Sequence, residues 1–500
     1  MIKKTIQEIN QKIKEGNATV VTAIEMVNIV ADLGKEGAAK EVDVVTTGTF
    51  GAMCSSGAWL NLGHSDPPIK MQKVFLNEVE AYTGVAAIDA YIGVTQLSES
   101  HGMDYGGAHV IEDLIRGKSI DIRATAYGTD CYPKKELETT ITIDDLNQAI
   151  MLNSRNCYQK YNAATNSSNR KLHTYMGALL PDYGNVTYSG AGVLSPLSND
   201  PEYQTIGMGT RIFLGGGEGY VIGEGTQHDP IHNFGTLMLR GDLKEMNPDF
   251  VKAVSFKGYG TTLYLGVGVP IPILNERIAE MTAVKDNDII TNVLDYAVPS
   301  RNRPKVRQVS YEELKSGSID INGKAVSTNS MSGFKKAKRV AEELKNWIDN
   351  SKFFLSEPAC RLPNSGIFKP MRESKKILYV RDIMSTNIVT ISINTTMHQA
   401  SKIMVDSSYD KIPVISDAGT LAGIVTSWDI SKAIAQDKET PIENIMTKKV
   451  ITTSPNNAIA VVAKILNQSH ISALPVINDE NKVIGIITSD DISKLLARRY

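Results

Sequence analysis

Apolar side chains at Ile24, Val27, Val30 and Ala31 fall at helical spacing behind Thr22, which reads as a capping residue, and Gly34 reads as the stop. Val42 to Thr47 is a short apolar run of the buried-strand type, and it empties into the loop Gly48-Thr-Phe-Gly-Ala-Met-Cys54-Ser-Ser-Gly57. The pattern then predicts a helix over Lys73 to Tyr82, a strand over Ala86 to Val94 and a short helix over His109 to Arg116 closed by Gly117. A second strand-like run, Ile120 to Tyr127, leads into Gly128-Thr-Asp-Cys131-Tyr-Pro133, and Leu137 to Ile143 follows as a further strand. From Asp144 or Asp145 a helix is expected, with Leu146, Ile150, Cys157 and Tyr161 on one face, which makes Cys157 a core residue. Tyr183 to Gly268 reads as Gly-rich and strand-poor. Its runs Phe213-Leu-Gly-Gly-Gly-Glu-Gly-Tyr220 and Val221-Ile-Gly-Glu-Gly-Thr-Gln-His228 suit close-packed turns better than an anion cradle, because neither ends in the Lys-Ser/Thr of a P-loop. Phe334 to Asp349 is a helix with Val340, Ala341, Leu344, Trp347 and Ile348 inward. Alternating strands and helices up to Cys131 predict α/β layers with functional loops at strand ends.

Beyond a stretch broken by Pro, Gly and charge at 361–377, the chain repeats itself. Met384 and Met446, Pro413 and Pro475, Gly423 and Gly485, and Asp429 and Asp491 are each 62 residues apart, in matching apolar contexts. Each unit resembles a CBS domain, at 378–437 and 440–500, so the tail is expected to be a CBS pair (Bateman module). That resemblance implies an adenosyl ligand, S-adenosylmethionine or an adenine nucleotide. Asp429 and Asp491 would contact ribose hydroxyls, and Thr426 and Thr488 would face phosphates or their substitutes. A carboxylate suits the first role because it accepts both hydroxyl hydrogens. CBS pairs also stack on one another, so a homodimer is expected.

Composition narrows the classes. The 53 basic and 55 acidic residues leave a formal charge of −2, which gives no field to draw the chain to nucleic acid or to an anionic membrane. The sequence offers no secretory leader and no run of about 18 apolar residues to span a bilayer. The 4 cysteines, at positions 54, 131, 157 and 360, form no C-x-x-C pair, so neither a structural zinc site nor an iron–sulfur cluster held by this chain is expected. Free thiols suit a cytoplasmic setting.

Cys54 and Cys131 are the candidate chemistry, two thiols on loops at strand ends. A free thiol ionises near pH 8.5, so a sulfur-carrying cysteine needs help to become a thiolate. Ser55, Ser56 and Gly57 read as the start of a turn or helix whose N–H groups would favour the Cys54 anion, whereas Asp130 beside Cys131 would oppose ionisation. With Thr46 to Gly57, Gly128 to Pro133 and the Gly-rich run from Arg211 standing ahead of the CBS pair, residues 1–360 resemble the homocysteine-biosynthesis family, the L-aspartate semialdehyde sulfurtransferases. The fold expected is a large mixed α/β N-terminal catalytic domain that binds no cofactor of its own, followed by the CBS pair.

The resemblance implies conversion of L-aspartate semialdehyde and sulfide to L-homocysteine through a persulfide. It places Cys131 first as carrier, with Cys54 as relay, resolving or substrate-positioning thiol. Replacing an aldehyde oxygen by sulfur and reaching a thiol takes two electrons. An external reductant is therefore expected, a ferredoxin-type iron–sulfur protein by the same resemblance. His64, His101, His109, His228 and His232 are acid–base candidates that no spacing singles out, and Arg211 is a candidate partner for the substrate carboxylate. Two other readings stand beside this one. An inosinate dehydrogenase also joins a loop cysteine, Gly-rich loops and a CBS pair, but carries the pair inside its barrel; a non-enzymatic sensor would use the large domain to report adenosyl binding. On the sulfurtransferase reading, S-adenosylmethionine bound to the CBS pair would regulate the enzyme.

Overall fold

The computed structural model describes residues 2–366, 369–372, 377–436 and 440–497, so residues 367–368 and 373–376 of the expected linker, and the last residues of both expected repeats, lie outside the described residues. The chain divides into two compact units, Met1–Lys369 and Pro370–Tyr500.

The large unit begins with helices α1 (Ile6–Lys14) and α2 (Ala23–Glu41), each opened by a capping box in which a Thr hydroxyl and a Glu carboxylate three residues on satisfy each other's backbone N–H, Thr5 with Glu8 and Thr22 with Glu25. Gly34 interrupts α2 where the stop was expected: at φ +67° it leaves the helical conformation, and a second helical run continues beyond the kink to Glu41. Just beyond, the carboxylate of Asp43 is buried, at 1% side-chain exposure, and accepts from Lys4 Nζ and Lys12 Nζ, both at 2.8 Å, and from Thr19 N at 3.1 Å. Burial pushes its pKa up, but these three donors outweigh burial and hold it below the ordinary aspartate value.

A nine-stranded sheet carries the body of the unit. Its strands are β1 (Thr49–Ala52), β2 (Ser56–Asn61), β3 (Asp89–Gly93), β6 (Gln148–Asn156), β7 (Arg211–Leu214), β8 (Gly217–Glu224), β9 (Leu237–Asp242), β10 (Val251–Phe256) and β11 (Gly260–Gly268), while β4 (Ile120–Thr125) and β5 (Glu136–Ile141) form a hairpin of a separate six-stranded sheet. The order is β10-β11-β7-β8-β9-β6-β2-β3, with β1 paired to β11. Helix α3 (Gly107–Ile115) packs on this sheet, and helix α4 (Phe334–Asp349) seats Val340 and Leu344 where Gly266 and Gly268 leave room. Gly48 is needed for the same approach, since a Cβ there would lie 2.2 Å from the carbonyl oxygen of Ala337 in α4. Gly48→Ala is expected to lower stability by about 2 kcal/mol through overpacking against backbone that cannot yield, measured as a shift in the urea midpoint of the large unit.

Three sequence expectations are corrected. Lys73 to Tyr82 is two strands, Lys73–Leu76 and Val79–Ala81, joined by Asn77 and Glu78 at φ +48° and +62°, the backbone of a tight hairpin turn. The expected helix after Asp144 is a 3₁₀ turn, Ile143–Asp145, followed by β6, in which Ala149, Met151 and Asn153 alternate inward. Cys157 is buried as expected, but just past the end of that strand rather than on a helix face. Tyr183 to Gly268 is rich in strands, because its glycines let neighbouring chains close up: a Cβ on Gly219 would meet Leu214 Cβ at 2.8 Å. The run at 213–220 is the β7–β8 hairpin, with Gly215 and Gly216 at positive φ, in keeping with the turn reading.

In the second unit each repeat contains a hairpin and a helix: β12 (Lys411–Ile415), β13 (Leu421–Thr426) and α5 (Ser427–Ile434), then β14 (Ala473–Ile477), β15 (Val483–Thr488) and α6 (Ser489–Ala497). The leading segment of each repeat packs on the other. Ser385 bridges to Ile486 and Met384 fills the space over Gly485, while Thr447 bridges to Ile424 and Met446 fills the space over Gly423. This exchange is the physical reason why Met and Gly recur together in the repeat.

Candidate active site around Cys54

Cys54 occupies the turn between β1 and β2. Because β1 runs antiparallel to β11 with Ala52 opposite Tyr264, and Met53 N donates to Leu263 O at 2.8 Å, the next residue arrives beside Thr262. Cys54 Sγ lies 3.3 Å from the buried Thr262 hydroxyl, and the Tyr259 hydroxyl donates to the same sulfur at 3.6 Å. On the opposite side β2 pairs with β6, Ser56 facing Asn153, and Ser55 Oγ donates to Arg155 O at 3.2 Å. The register of β6 against β9 slips between Asn153 and Asn156. Such a bulge re-aims a side chain, here the one at Arg155, which reaches the cavity beside Cys54.

That cavity, about 290 Å³, is walled by Cys54, Ser55, Arg155, Gln227 and the rings of Tyr158, Tyr161, Tyr175 and Tyr259, with Ala52, Met176, Ser189 and Met331 completing it. Arg155 is the one charged side chain in that wall. Burial raises the pKa of Tyr158, Tyr161 and Tyr259, and for Tyr259 the neighbouring Cys54 thiolate adds to the effect. These hydroxyls therefore stay protonated, and that of Tyr259 donates to the Cys54 sulfur. Tyr175 and Tyr296 share a hydrogen bond of 2.6 Å behind them.

The other sequence candidates lie elsewhere. Cys131 is exposed on the β4–β5 hairpin loop, where Thr129 and Tyr132 exchange backbone hydrogen bonds and the Tyr132 ring stacks on His64 at 6.0 Å. It does not line the Cys54 cavity and has no hydrogen bond to it. All four cysteines are free; Cys157 is inert because burial pushes its thiol pKa far up, and Cys360 is exposed opposite Met208 in a two-stranded ladder. Ser55 to Gly57 do not open a helix: they enter strand β2, so the thiol is served by side-chain hydroxyls rather than by a helix N-terminus. Arg211 is committed to Glu218 and stacks on Phe353, which removes it as a carboxylate partner. None of the five histidines reaches the Cys54 cavity. The side chains that sequence reading missed, Arg155, Gln227 and the tyrosines, had one legible signal: Ser154-Arg155 breaks the alternation of β6.

In the second unit the structure brings each Thr to its Asp. The Asp429 carboxylate accepts from Thr426 N and Oγ1 at 2.8 and 2.7 Å, and Asp491 does the same for Thr488 at 2.9 and 2.7 Å, so both pairs serve as helix caps through one carboxylate oxygen. Thr426 also lines a cleft of about 520 Å³ shared by both repeats, together with Lys411, Thr447, Lys449 and His470. Among the described residues no His, Cys, Asp and Glu side chains gather as metal ligands, and no helix is long and apolar enough to cross a membrane.

Residues 18–355 match the family model described as homocysteine biosynthesis enzyme, sulfur-incorporation, and residues 380–436 and 442–498 match that of the CBS domain. An L-aspartate semialdehyde sulfurtransferase of Methanosarcina acetivorans is 60% identical over 500 residues, covering 100% of both chains. One from Methanocaldococcus jannaschii is 54% identical over 510 residues, covering 99% of each. A solved CBS domain pair in complex with 5′-methylthioadenosine and S-adenosyl-L-methionine is 40% identical and covers 25% of this chain and 99% of that one, at a TM-score of 0.24.

Proposed function

Since the chain belongs to the homocysteine biosynthesis enzyme family of sulfur incorporation, we propose that its large unit converts L-aspartate semialdehyde and sulfide to L-homocysteine, with sulfur carried as a persulfide on Cys54. The observation that carries this is the Cys54 thiol, seated in a tyrosine-lined cavity with the Tyr259 hydroxyl donating to its sulfur and the Thr262 hydroxyl in hydrogen-bond contact with it. The order expected from sequence, Cys131 ahead of Cys54, is exchanged: an exposed hairpin thiol lacks walls to hold an aldehyde or exclude water, and Cys54 has them.

The balance is simple. Aldehyde, sulfide, two electrons and two protons give thiol and water. Making a persulfide from a thiol and sulfide releases two protons and passes two electrons to the oxidised form of an external iron–sulfur carrier, and cleaving its S–S bond during transfer takes two electrons and two protons back. The net demand is two electrons per turnover, which an external iron–sulfur reductant supplies in this proposal. Tyr259 donates to sulfur while the anion exists and, kept protonated by burial, holds its proton for the reaction. Protein isolated without oxygen and treated with polysulfide, which delivers sulfur already at the persulfide level, is expected to gain the mass of one sulfur on the Cys54 peptide. An unmodified Cys54 peptide alongside a modified Cys131 peptide would restore the original order.

The CBS pair is proposed to bind an adenosyl ligand in the cleft at Thr426 and to regulate the enzyme through it, a reading supported by the family match and by the Asp429 carboxylate, which is bonded to Thr426 through one oxygen and among the described residues has no hydrogen-bond partner on the other. Because Asp429 and Asp491 also cap helices, alanine would remove a cap worth about 1 kcal/mol as well as a ligand contact. Asp429→Asn with Asp491→Asn keeps a capping oxygen. Calorimetry with S-adenosylmethionine and with AMP is expected to show at least about tenfold weaker binding in that double variant, and unchanged affinity for both would reject these carboxylates as the ribose contacts.

A further inference from the structure

Arg155 is the feature of the Cys54 cavity that the proposed chemistry leaves unused. Its guanidinium has no ion pair among the described residues; it donates through Nη1 to the neutral amide oxygen of Gln227, stands 6.0 Å over the Tyr158 ring, and its Nε is enclosed without a hydrogen-bond partner. An enclosed guanidinium nitrogen left unpaired costs free energy that an anion would recover. The position is also fixed. Arg155 O accepts from Ser55 Oγ, one residue from the thiol, and the bulge at the end of β6 turns the side chain into the same 290 Å³ space that Cys54 opens on. The sulfur itself takes its hydrogen-bond contacts from Thr262 and Tyr259, so Arg155 stays free for a second group of whatever lies against Cys54.

Resting on the reading of the substrate as a four-carbon amino-acid aldehyde, we infer that Arg155, steadied by Gln227, binds the substrate's α-carboxylate and so sets the aldehyde carbon against the Cys54 sulfur. A guanidinium fork matches a carboxylate with two parallel N–H···O bonds, which fixes orientation as well as charge. The site therefore selects α-amino-acid aldehydes over simple aldehydes, and a lysine in its place would keep charge but lose the fork.

The test needs no turnover. Alkylation of Cys54 by iodoacetamide is followed by peptide mass spectrometry on the full chain, with L-homoserine as the protecting probe and 3-aminopropanol as its counterpart lacking the carboxylate. In the wild type, homoserine is expected to protect at about tenfold lower concentration than 3-aminopropanol or better. In Arg155→Gln that advantage disappears, and in Arg155→Lys part of it remains. The unprotected iodoacetamide rate, expected to stay within about twofold of wild type, reports that the cavity is intact in each variant. Equal protection by the two probes in the wild type, or homoserine protection undiminished in Arg155→Gln, would overturn the assignment. Its failure is distinct from that of the sulfur-transfer reading: a Cys54 that never gains sulfur but is still protected by homoserine through Arg155 would leave the carboxylate site standing and remove only the persulfide.

Discussion

Cys54→Ala is expected to lower the rate of homocysteine formation by about 10³-fold or more, while Cys131→Ala stays within about fivefold of wild type. Removing a nucleophile removes the covalent route itself, and what remains is only the positioning that the cavity gives the aldehyde. The asymmetry between the two thiols follows from their surroundings. Cys54 is flanked by Thr262 and Tyr259 inside a walled space, whereas Cys131 stands exposed on a hairpin whose hydrogen bonds are made by Thr129 and Tyr132. The two variants are to be compared in one assay of homocysteine formation from semialdehyde and sulfide with an added reductant. Loss of activity on removing Cys131 equal to that on removing Cys54 would return both thiols to a shared cycle.

The second large effect concerns stability. Asp43→Ala is expected to destabilise the large unit by about 3 kcal/mol, because it strips the shared acceptor from Lys4, Lys12 and the Thr19 amide at a site closed to water. Asp43→Asn keeps an oxygen for the amide and is expected to cost less. The native pKa of Asp43 is depressed, so its contribution is complete above the unfolded aspartate value of about 4 and fades as pH falls below it toward the lower native pKa. Urea titrations followed through Trp347, whose ring packs on Phe213 and Phe353, are expected to show wild type losing this increment below about pH 4 and Asp43→Ala having none to lose. A wild type and variant that keep a constant difference from pH 7 to pH 3 would sink the linkage.

What the sequence disclosed was what local physics decides. The cap at Thr22, the amphipathic face of Phe334–Asp349 and the 62-residue repeat are written in the local sequence, and all stand in the structure. Lys73 to Tyr82 and the segment after Asp144 went wrong because strands there owe their state to partners far along the chain, which short apolar spacings do not reveal. The site divides the same way. Cys54 was legible as a thiol at a strand end, but Tyr259 reaches it across 205 residues of sequence and Arg155 through a bulge set by cross-strand register, so neither carried a signature of its own. The inosinate-dehydrogenase alternative falls with the family match of residues 18–355, as the trailing position of the CBS pair suggested.

The crossed leading segments of the two repeats have a further meaning for inheritance and engineering. Since Met384 closes the second repeat and Met446 the first, a cut between the repeats would leave each half holding the other's stopper and missing its own. The 62-residue unit seen in the sequence is thus not the unit that a genome can trade. Recombination would have to move the pair whole, as one cassette, with the cleft at Thr426 spanning its internal seam.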